Sequence, residues 1–220
     1  MTLLVKICGL STPETLDASL SAGADMVGFV FFARSPRHLS LERGAALAKQ
    51  VAGRAEVVAL TVDMTEEDLD ALVQAVHPDW LQLHGVESVD HVAAVRAAFG
   101  VQVMKAVPIA GPSDLERAER YMTVADRLLL DAKPPKGATR PGGLGATFDW
   151  SIVSGFDPDV PWLLSGGLRP GNVAEALRVS GASGVDVSSG VENAPGVKSP
   201  ELIRAFIASA RAFAHEAVPS

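Results

Sequence analysis

A single cysteine, Cys8, serves the whole chain, so no internal disulfide framework holds this fold together. No uninterrupted apolar run approaches the roughly 20 residues of a bilayer crossing, which points to a soluble protein with no membrane partner. Low-complexity spacers and long blocks of like charge are absent, so residues 1–220 are expected to form one domain around one core. The opening Met1-Thr2-Leu3-Leu4-Val5-Lys6 has neither the basic start nor the long apolar centre of a secretion signal, and a cytoplasmic location is the expectation. An excess of basic charge is missing too. Acidic residues number 26 against 19 Lys and Arg, giving a formal net charge of −7 spread along the chain. That balance argues against a nucleic-acid surface but not against a small anionic ligand, which responds to local donors rather than to the total.

What the chain does have is an α/β alternation built on 48% hydrophobic residues. Apolar runs predict strands ending at Cys8 and spanning 26–31, 57–62, 80–83, 102–107, 127–130, 162–164 and 184–187. Between them lie helix signals: capping boxes at Ser11-Thr12-Pro13-Glu14 and Ser113-Asp114-Leu115-Glu116, and openings at Ser40, Thr65, Ser88, Asn172 and Ser199-Pro200. Eight near-continuously apolar strands, each followed by a helix, predict a closed parallel (β/α)8 barrel of the TIM type. An open doubly wound sheet is the rival, but no Gly-x-Gly-x-x-Gly follows the first strand. The least regular stretch, 133–145, is longer than a compact fold needs for connection alone, which favours a functional loop.

In such a barrel the chemistry sits where strands end and βα loops begin. Cys8, Arg37, His84, Asp131, Ser165 and Ser188 all fall there. Strand alternation puts Lys6 and Cys8 on one face and Val5 and Ile7 on the other. Two readings of Cys8 stay open, a small buried hydrophobe beside a snorkelling lysine or a working thiol beside an ammonium. Ser165-Gly166-Gly167 and Ser188-Ser189-Gly190-Val191 bring together two glycine-bearing turns whose backbone N–H groups suit a phosphate, unless the glycines serve tight turns only.

Taken in order, Lys6-Ile7-Cys8-Gly9, Gly28-Phe29-Val30-Phe31 with Ser35-Pro36-Arg37, Gln82-Leu83-His84-Gly85, Leu129-Leu130-Asp131, Gly142-Gly143-Leu144-Gly145, Leu164-Ser165-Gly166-Gly167-Leu168 and Gly184-Val185-Asp186-Val187-Ser188-Ser189-Gly190-Val191-Glu192 cover the chain nearly end to end. This set resembles the phosphoribosylanthranilate isomerase family of tryptophan biosynthesis. The resemblance implies an aldose–ketose isomerase that performs an Amadori rearrangement of N-(5-phosphoribosyl)anthranilate to 1-(2-carboxyphenylamino)-1-deoxyribulose 5-phosphate. It also implies no cofactor and no metal, because no electrons enter or leave. By the same resemblance Asp131 is the general acid and Cys8 the general base. Substrate binding falls to Lys6, Arg37, His84 and Asp186, and phosphate binding to Gly166, Gly167, Ser188, Ser189 and Gly190.

Those roles make physical demands. An acid with a reference pKa of about 4 must hold its proton near neutrality, so Asp131 needs burial or a negative neighbour. A thiol at about 8.5 must be brought down, and Lys6 is expected to sit nearer Cys8 than Asp131 to do so. Arg37 suits the anthranilate carboxylate, with Arg34 as substitute if the loop turns differently. His84, a lone imidazole, reads first as a hydrogen-bonded structural residue and second as a substrate contact, and Asp186 as the partner of a donor or of the substrate amine. Glu192 reads as a helix cap or a solvated side chain. Gly142 to Gly145 are expected to close over the ligand.

Other phosphate-binding barrels fit less well. A ribulose-phosphate epimerase calls for paired strand-end histidines, and of His38, His77, His84, His91 and His215 only His84 qualifies. An indole-glycerol-phosphate synthase calls for a strand-end Lys/Glu pair, and Lys105 shows no matching glutamate in sequence. A dual-substrate sugar isomerase would place an aspartate at Cys8. A non-catalytic phosphate-ligand binding barrel is the alternative outside enzymology. Apolar residues on the outer helices leave monomer and homodimer open.

Overall fold

The computed structural model describes residues 3–133, 137–138 and 141–216; Met1-Thr2 and the 134–136 part of the irregular connection lie outside the described residues. Eight parallel strands close in sequence order. They are β1 (Leu4–Cys8), β2 (Met26–Phe31), β3 (Glu56–Thr61), β4 (Trp80–Leu83), β5 (Gln102–Ile109), β6 (Arg127–Ala132), β7 (Trp162–Leu164) and β8 (Gly184–Val187). The helices are α1 (Pro13–Ser21), α2 (Leu41–Val51), α3 (Glu66–Val76), α4 (Val89–Phe99), α5 (Ser113–Glu119), α6 (Val173–Ser180) and α7 (Pro200–Glu216).

Among the described residues the expected helix after every strand fails once. After β6 the chain runs through the irregular connection to a single 3-10 turn, Trp150–Val153, which packs beside α6. Its Trp150 and Ile152 fill the gap against the core that an α-helix would otherwise cover. A short hairpin, β9 (Glu192–Ala194) with β10 (Val197–Lys198), also intervenes before α7.

Side-chain oxygens start most helices by accepting N–H groups of the open first turn. Ser40, Thr65 and Ser88 cap α2, α3 and α4 in this way. Two sequence expectations shift. Thr12, not Ser11, caps α1, because Thr12 is the residue in extended conformation whose hydroxyl reaches Thr15 N–H. At α5 the Ser113 box does not form; Ser113 is already helical, and Asp114 Oδ2 accepts from Ala110 N–H and Gly111 N–H instead.

Alternation sorts the strands into two apolar layers. Val5, Ile7, Val27, Phe29, Leu81, Leu83 and their kin face the helices. Met26, Val58, Trp80, Met104, Leu129 and Leu163 fill the barrel's lower interior. Above them Cys8, Val30 and Leu60 form a smaller apolar group with Phe32 and Val62 at the strands' C-terminal ends. Between the two lies a polar belt that includes Lys6, Gln82 and Asp186, all buried, and the site stands on this belt.

Candidate active site

A cavity opens at the C-terminal ends of the strands. Cys8, Arg37, His84, Asp131, Ser165, Gly166, Gly167, Asp186, Ser188 and Ser189 line it, as does the Gly142–Gly145 segment. Val30, Phe32, Leu60 and Val62 give it an apolar wall. Gly190 lies around the rim, in an adjoining hollow shared with Arg37, Gly167 and Ser189. Arg34 is exposed and borders a different hollow beyond His84, so Arg37 is the arginine of the main cavity.

β1 presents Cys8 inward at its last residue, where it is 3% exposed. A Cβ built on the neighbouring Gly28 would fall 3.0 Å from Cys8 Sγ and 3.3 Å from Lys6 Nζ, so the thiol and the ammonium share the space that this glycine leaves empty. Lys6 sits on the Cys8 side, as expected, but it is fully buried and does not line the cavity. Its Nζ donates to Asp186 Oδ1 at 2.6 Å, and Asp186 Oδ2 accepts from Ser165 Oγ at 3.1 Å. Asp186 is thus the partner of two donors, because a cation sealed in the barrel requires a counter-charge. Burial works against the Lys6 charge, yet Asp186 and Cys8 together carry its pKa above the ordinary value.

The expectation that Lys6 brings the Cys8 thiol down does not hold for the resting protein. Burial pushes the thiol up, Asp186 adds to it, and Lys6 and Lys198 oppose without cancelling it. At neutral pH Cys8 rests as a thiol, with a cation in place for the thiolate.

Asp131 ends the inward face of β6 and is 6% exposed. Its Oδ1 accepts from Ala132 N–H at 2.9 Å, and its Oδ2 lies 3.2 Å from His84 Nε2. The burial expected of it is present, but its close neighbour is an imidazole and not a second carboxylate. His84 Nδ1 in turn lies 3.0 Å from Gln82 Nε2. A Gln82 amide that donates to Nδ1 fixes the proton on Nε2, which then donates to Asp131. Turned by 180° the amide accepts from Nδ1–H, and Nε2 is left to accept a proton held on Asp131. Gln82 Oε1 is buried with no hydrogen-bond partner among the described residues, so the turn sacrifices no acceptor bond.

Arg37 is only 4% exposed, not a solvated loop arginine. Its Nε and Nη2 donate to Glu192 Oε1 at 2.6 Å and Oε2 at 2.8 Å, and Nη2 also donates to the Gly143 carbonyl at 3.2 Å. The bidentate edge expected for a substrate carboxylate is therefore held by Glu192, leaving Nη1 as the arm outside these bonds. Glu192 is correspondingly not solvated, and its backbone N–H does cap the short 3-10 turn Ser189–Val191 by donating to the Ser189 carbonyl, while its carboxylate is taken up by cations. Burial disfavours its charge, but Arg37 and Lys198 hold its carboxyl below the usual range.

The two glycine-bearing turns meet as expected. Gly166 has φ +89°, and a Cβ there would lie 2.6 Å from Ala132 N, so both conformation and space demand glycine. Two functional candidates escaped the sequence. Gln82 carried a signal, a polar residue two before His84 on the same strand face; Lys198, in the short hairpin, carried none. The matching glutamate for Lys105 does exist, Glu87 at 2.6 Å, but neither residue lines the cavity. Among the described residues no group of three His, Cys, Asp or Glu is placed to hold a metal.

Comparison with known proteins gives concordant results. The family model described as N-(5'-phosphoribosyl)anthranilate (PRA) isomerase matches residues 5–209. A Rhodopseudomonas palustris protein named N-(5'-phosphoribosyl)anthranilate isomerase is 58% identical over 212 residues, covering 96% of this chain and 100% of its own. Monomers generated from the dimeric isomerase of Thermotoga maritima superpose with a TM-score of 0.83 at 34% identity, over 96% of this chain and 100% of theirs. A phosphoribosyl anthranilate isomerase in complex with reduced 1-(o-carboxyphenylamino)-1-deoxyribulose 5-phosphate gives 0.83 at 33% identity, with the same coverage.

Proposed function

The chain belongs to the N-(5'-phosphoribosyl)anthranilate isomerase family, and from that premise we propose that Cys8 and Asp131 perform its Amadori rearrangement. The enzyme is an aldose–ketose isomerase that converts N-(5-phosphoribosyl)anthranilate to 1-(2-carboxyphenylamino)-1-deoxyribulose 5-phosphate. The observation that carries the assignment of roles is that a thiol and a buried carboxyl, from β1 and β6, line one cavity together with residues of both glycine-bearing turns.

In this scheme Asp131 gives its proton to the furanose ring oxygen, the C1–O bond breaks, and the anthranilate nitrogen's lone pair forms a Schiff base. Cys8, as thiolate, removes the proton from C2, and the electrons move to give the enolamine. Protonation at C1 and loss of the C2 hydroxyl proton yield the ketone, so substrate and product are isomers. His84 relays the Asp131 proton position and Gln82 sets its tautomer. Lys6 stabilises the thiolate as it forms, and Asp186 orients Lys6. The Arg37 Nη1 arm takes the anthranilate carboxylate, the apolar wall its ring, and the turns Gly166-Gly167 and Ser188-Ser189-Gly190 the phosphate.

The phosphorylated small molecule is the partner this scheme calls for, in a cytoplasmic protein acting as a monomer or a homodimer; sedimentation at micromolar concentration separates the two. Among the described residues no helix is long and apolar enough to cross a membrane.

Steady-state kinetics of Cys8→Ala and Asp131→Asn test the pair. Each variant is expected to lose turnover by at least about a hundredfold while its KM for phosphoribosylanthranilate changes little. Equal loss of binding by Asp131→Asn would make it a ligand-holder. A wild type that binds ligand without turning it over would favour the non-catalytic barrel.

A further inference from the structure

Lys198 is a buried cation outside the roles assigned above. It ends β10, its side chain is 1% exposed, and it reaches two parts of the site at once. Its Nζ donates to the Ser188 carbonyl at 2.8 Å and to Ser188 Oγ at 3.2 Å, at the start of the turn given to phosphate. It also donates to Glu192 Oε1 at 2.8 Å, the oxygen that accepts from Arg37 Nε. Arg37, Glu192 and Lys198 together carry one excess positive charge when Lys198 is protonated. All three are buried, where charge is weakly screened. The substrate brings a phosphate and a carboxylate, both negative.

Resting on the isomerase reading, we propose that Lys198 is a positioning residue that ties the phosphate turn after β8 to the Arg37 clamp, so that one end of the substrate organises the binding of the other. Without its ammonium, the Ser188 carbonyl loses a charged donor. Glu192 then keeps Arg37 as its charged partner, a pair with no surplus charge to offer an anion. The groups facing Lys198 are Glu192 from β9, Arg37 from the connection after β2, Cys8 from β1 and the Ser188 hydroxyl after β8. Burial lowers its pKa to about 8, against the pull of Glu192. Since the protonated form holds the anion, affinity falls as pH rises through that value. Cys8 titrates in the same direction but acts oppositely, because losing its proton makes the base and raises turnover.

The test measures kcat and KM for phosphoribosylanthranilate from about pH 6.5 to about pH 9.5. It also measures the Kd of reduced 1-(o-carboxyphenylamino)-1-deoxyribulose 5-phosphate. Wild type, Lys198→Met and Lys198→Arg are compared. For wild type, KM and Kd are expected to rise about tenfold above about pH 8 while kcat does not fall. Lys198→Met should bind about tenfold more weakly already at neutral pH, with no alkaline limb. Lys198→Arg should retain affinity at the alkaline end, because a guanidinium does not titrate there. A Lys198→Met protein within about twofold of wild type with the limb unchanged overturns the proposal. So does a Lys198→Arg protein whose limb stays in place, and that variant decides the matter if Lys198→Met fails to fold. A wild type that binds the analogue with this pH dependence but never turns over substrate would remove the isomerase reading and leave the role of Lys198 standing.

Discussion

At the scale of single residues the site is governed by how buried charges find partners. Lys6 does not touch the cavity, yet its charge acts on the Cys8 thiol, the proposed base, more than that of Lys198 does. Its removal has a clear sign. Lys6→Met deletes a charge that lowers the Cys8 pKa and leaves the influences of burial and Asp186, which raise it. The rising limb of kcat against pH should therefore move to still higher pH. Turnover at neutral pH should drop by about tenfold or more, recover in part at alkaline pH, and leave KM nearly unchanged. A KM effect matching the kcat effect would return Lys6 to the substrate contacts that the sequence suggested. Asp131 shows the complementary arrangement: the proton needed on the carboxyl has an imidazole to share it with and an amide to fix the sharing.

At the scale of elements, strand ends carry the proposed chemistry and the two glycine-bearing turns form the proposed phosphate cradle. β7 is only three residues long, and the chain leaves it through Ser165 and Gly166 directly against the end of β6. Gly166→Ala places a methyl group 2.6 Å from the Ala132 backbone nitrogen in a conformation that L residues rarely adopt, so the turn must move off β6. The expected result is a KM raised about tenfold or more with kcat less affected, together with weaker inhibition by inorganic phosphate. Unchanged phosphate inhibition would count against the cradle. The hairpin β9–β10 belongs to the same scale. It supplies Glu192 and Lys198, which link the turn after β8 and Arg37 in one arrangement.

At the scale of the whole molecule, the barrel keeps stability and chemistry on different faces of its strands. Lys105 of β5 points to the helix side, where its Nζ reaches Glu87 at 2.6 Å and the carbonyls of Leu83 and Gly85, and sits over the Tyr121 ring. Burial opposes the Glu87 charge, but Lys105 holds its carboxyl below the usual 4.5. Because the folded value lies below the unfolded one, the Glu87 contribution is complete above about pH 4.5 and is lost as pH falls through the lower folded value, while burial lowers Lys105 against the pull of Glu87. Glu87→Ala leaves a buried ammonium without its carboxylate and should cost about 3–5 kcal/mol at neutral pH. Denaturant unfolding should show this loss, with a flatter dependence of stability on pH in the acid range. A loss below about 1 kcal/mol would mean that the backbone carbonyls suffice for Lys105.

The sequence alone determined the barrel, the facing of Lys6 and Cys8, and the convergence of the strand-end residues, because these follow from local rules: alternation along a strand, caps before helices, loops after strands. The 3-10 turn in place of an α-helix among the described residues after β6 was less legible, since Trp150 and Ile152 cover the core without a helical period. Tertiary structure alone decided the charge partnerships. Lys6 meets Asp186 across 180 residues and Arg37 meets Glu192 across 155, contacts set by closure and register of the barrel, which no local pattern encodes. The resting protonation of Cys8 depends on those contacts and on burial together, so its direction came only from the folded chain.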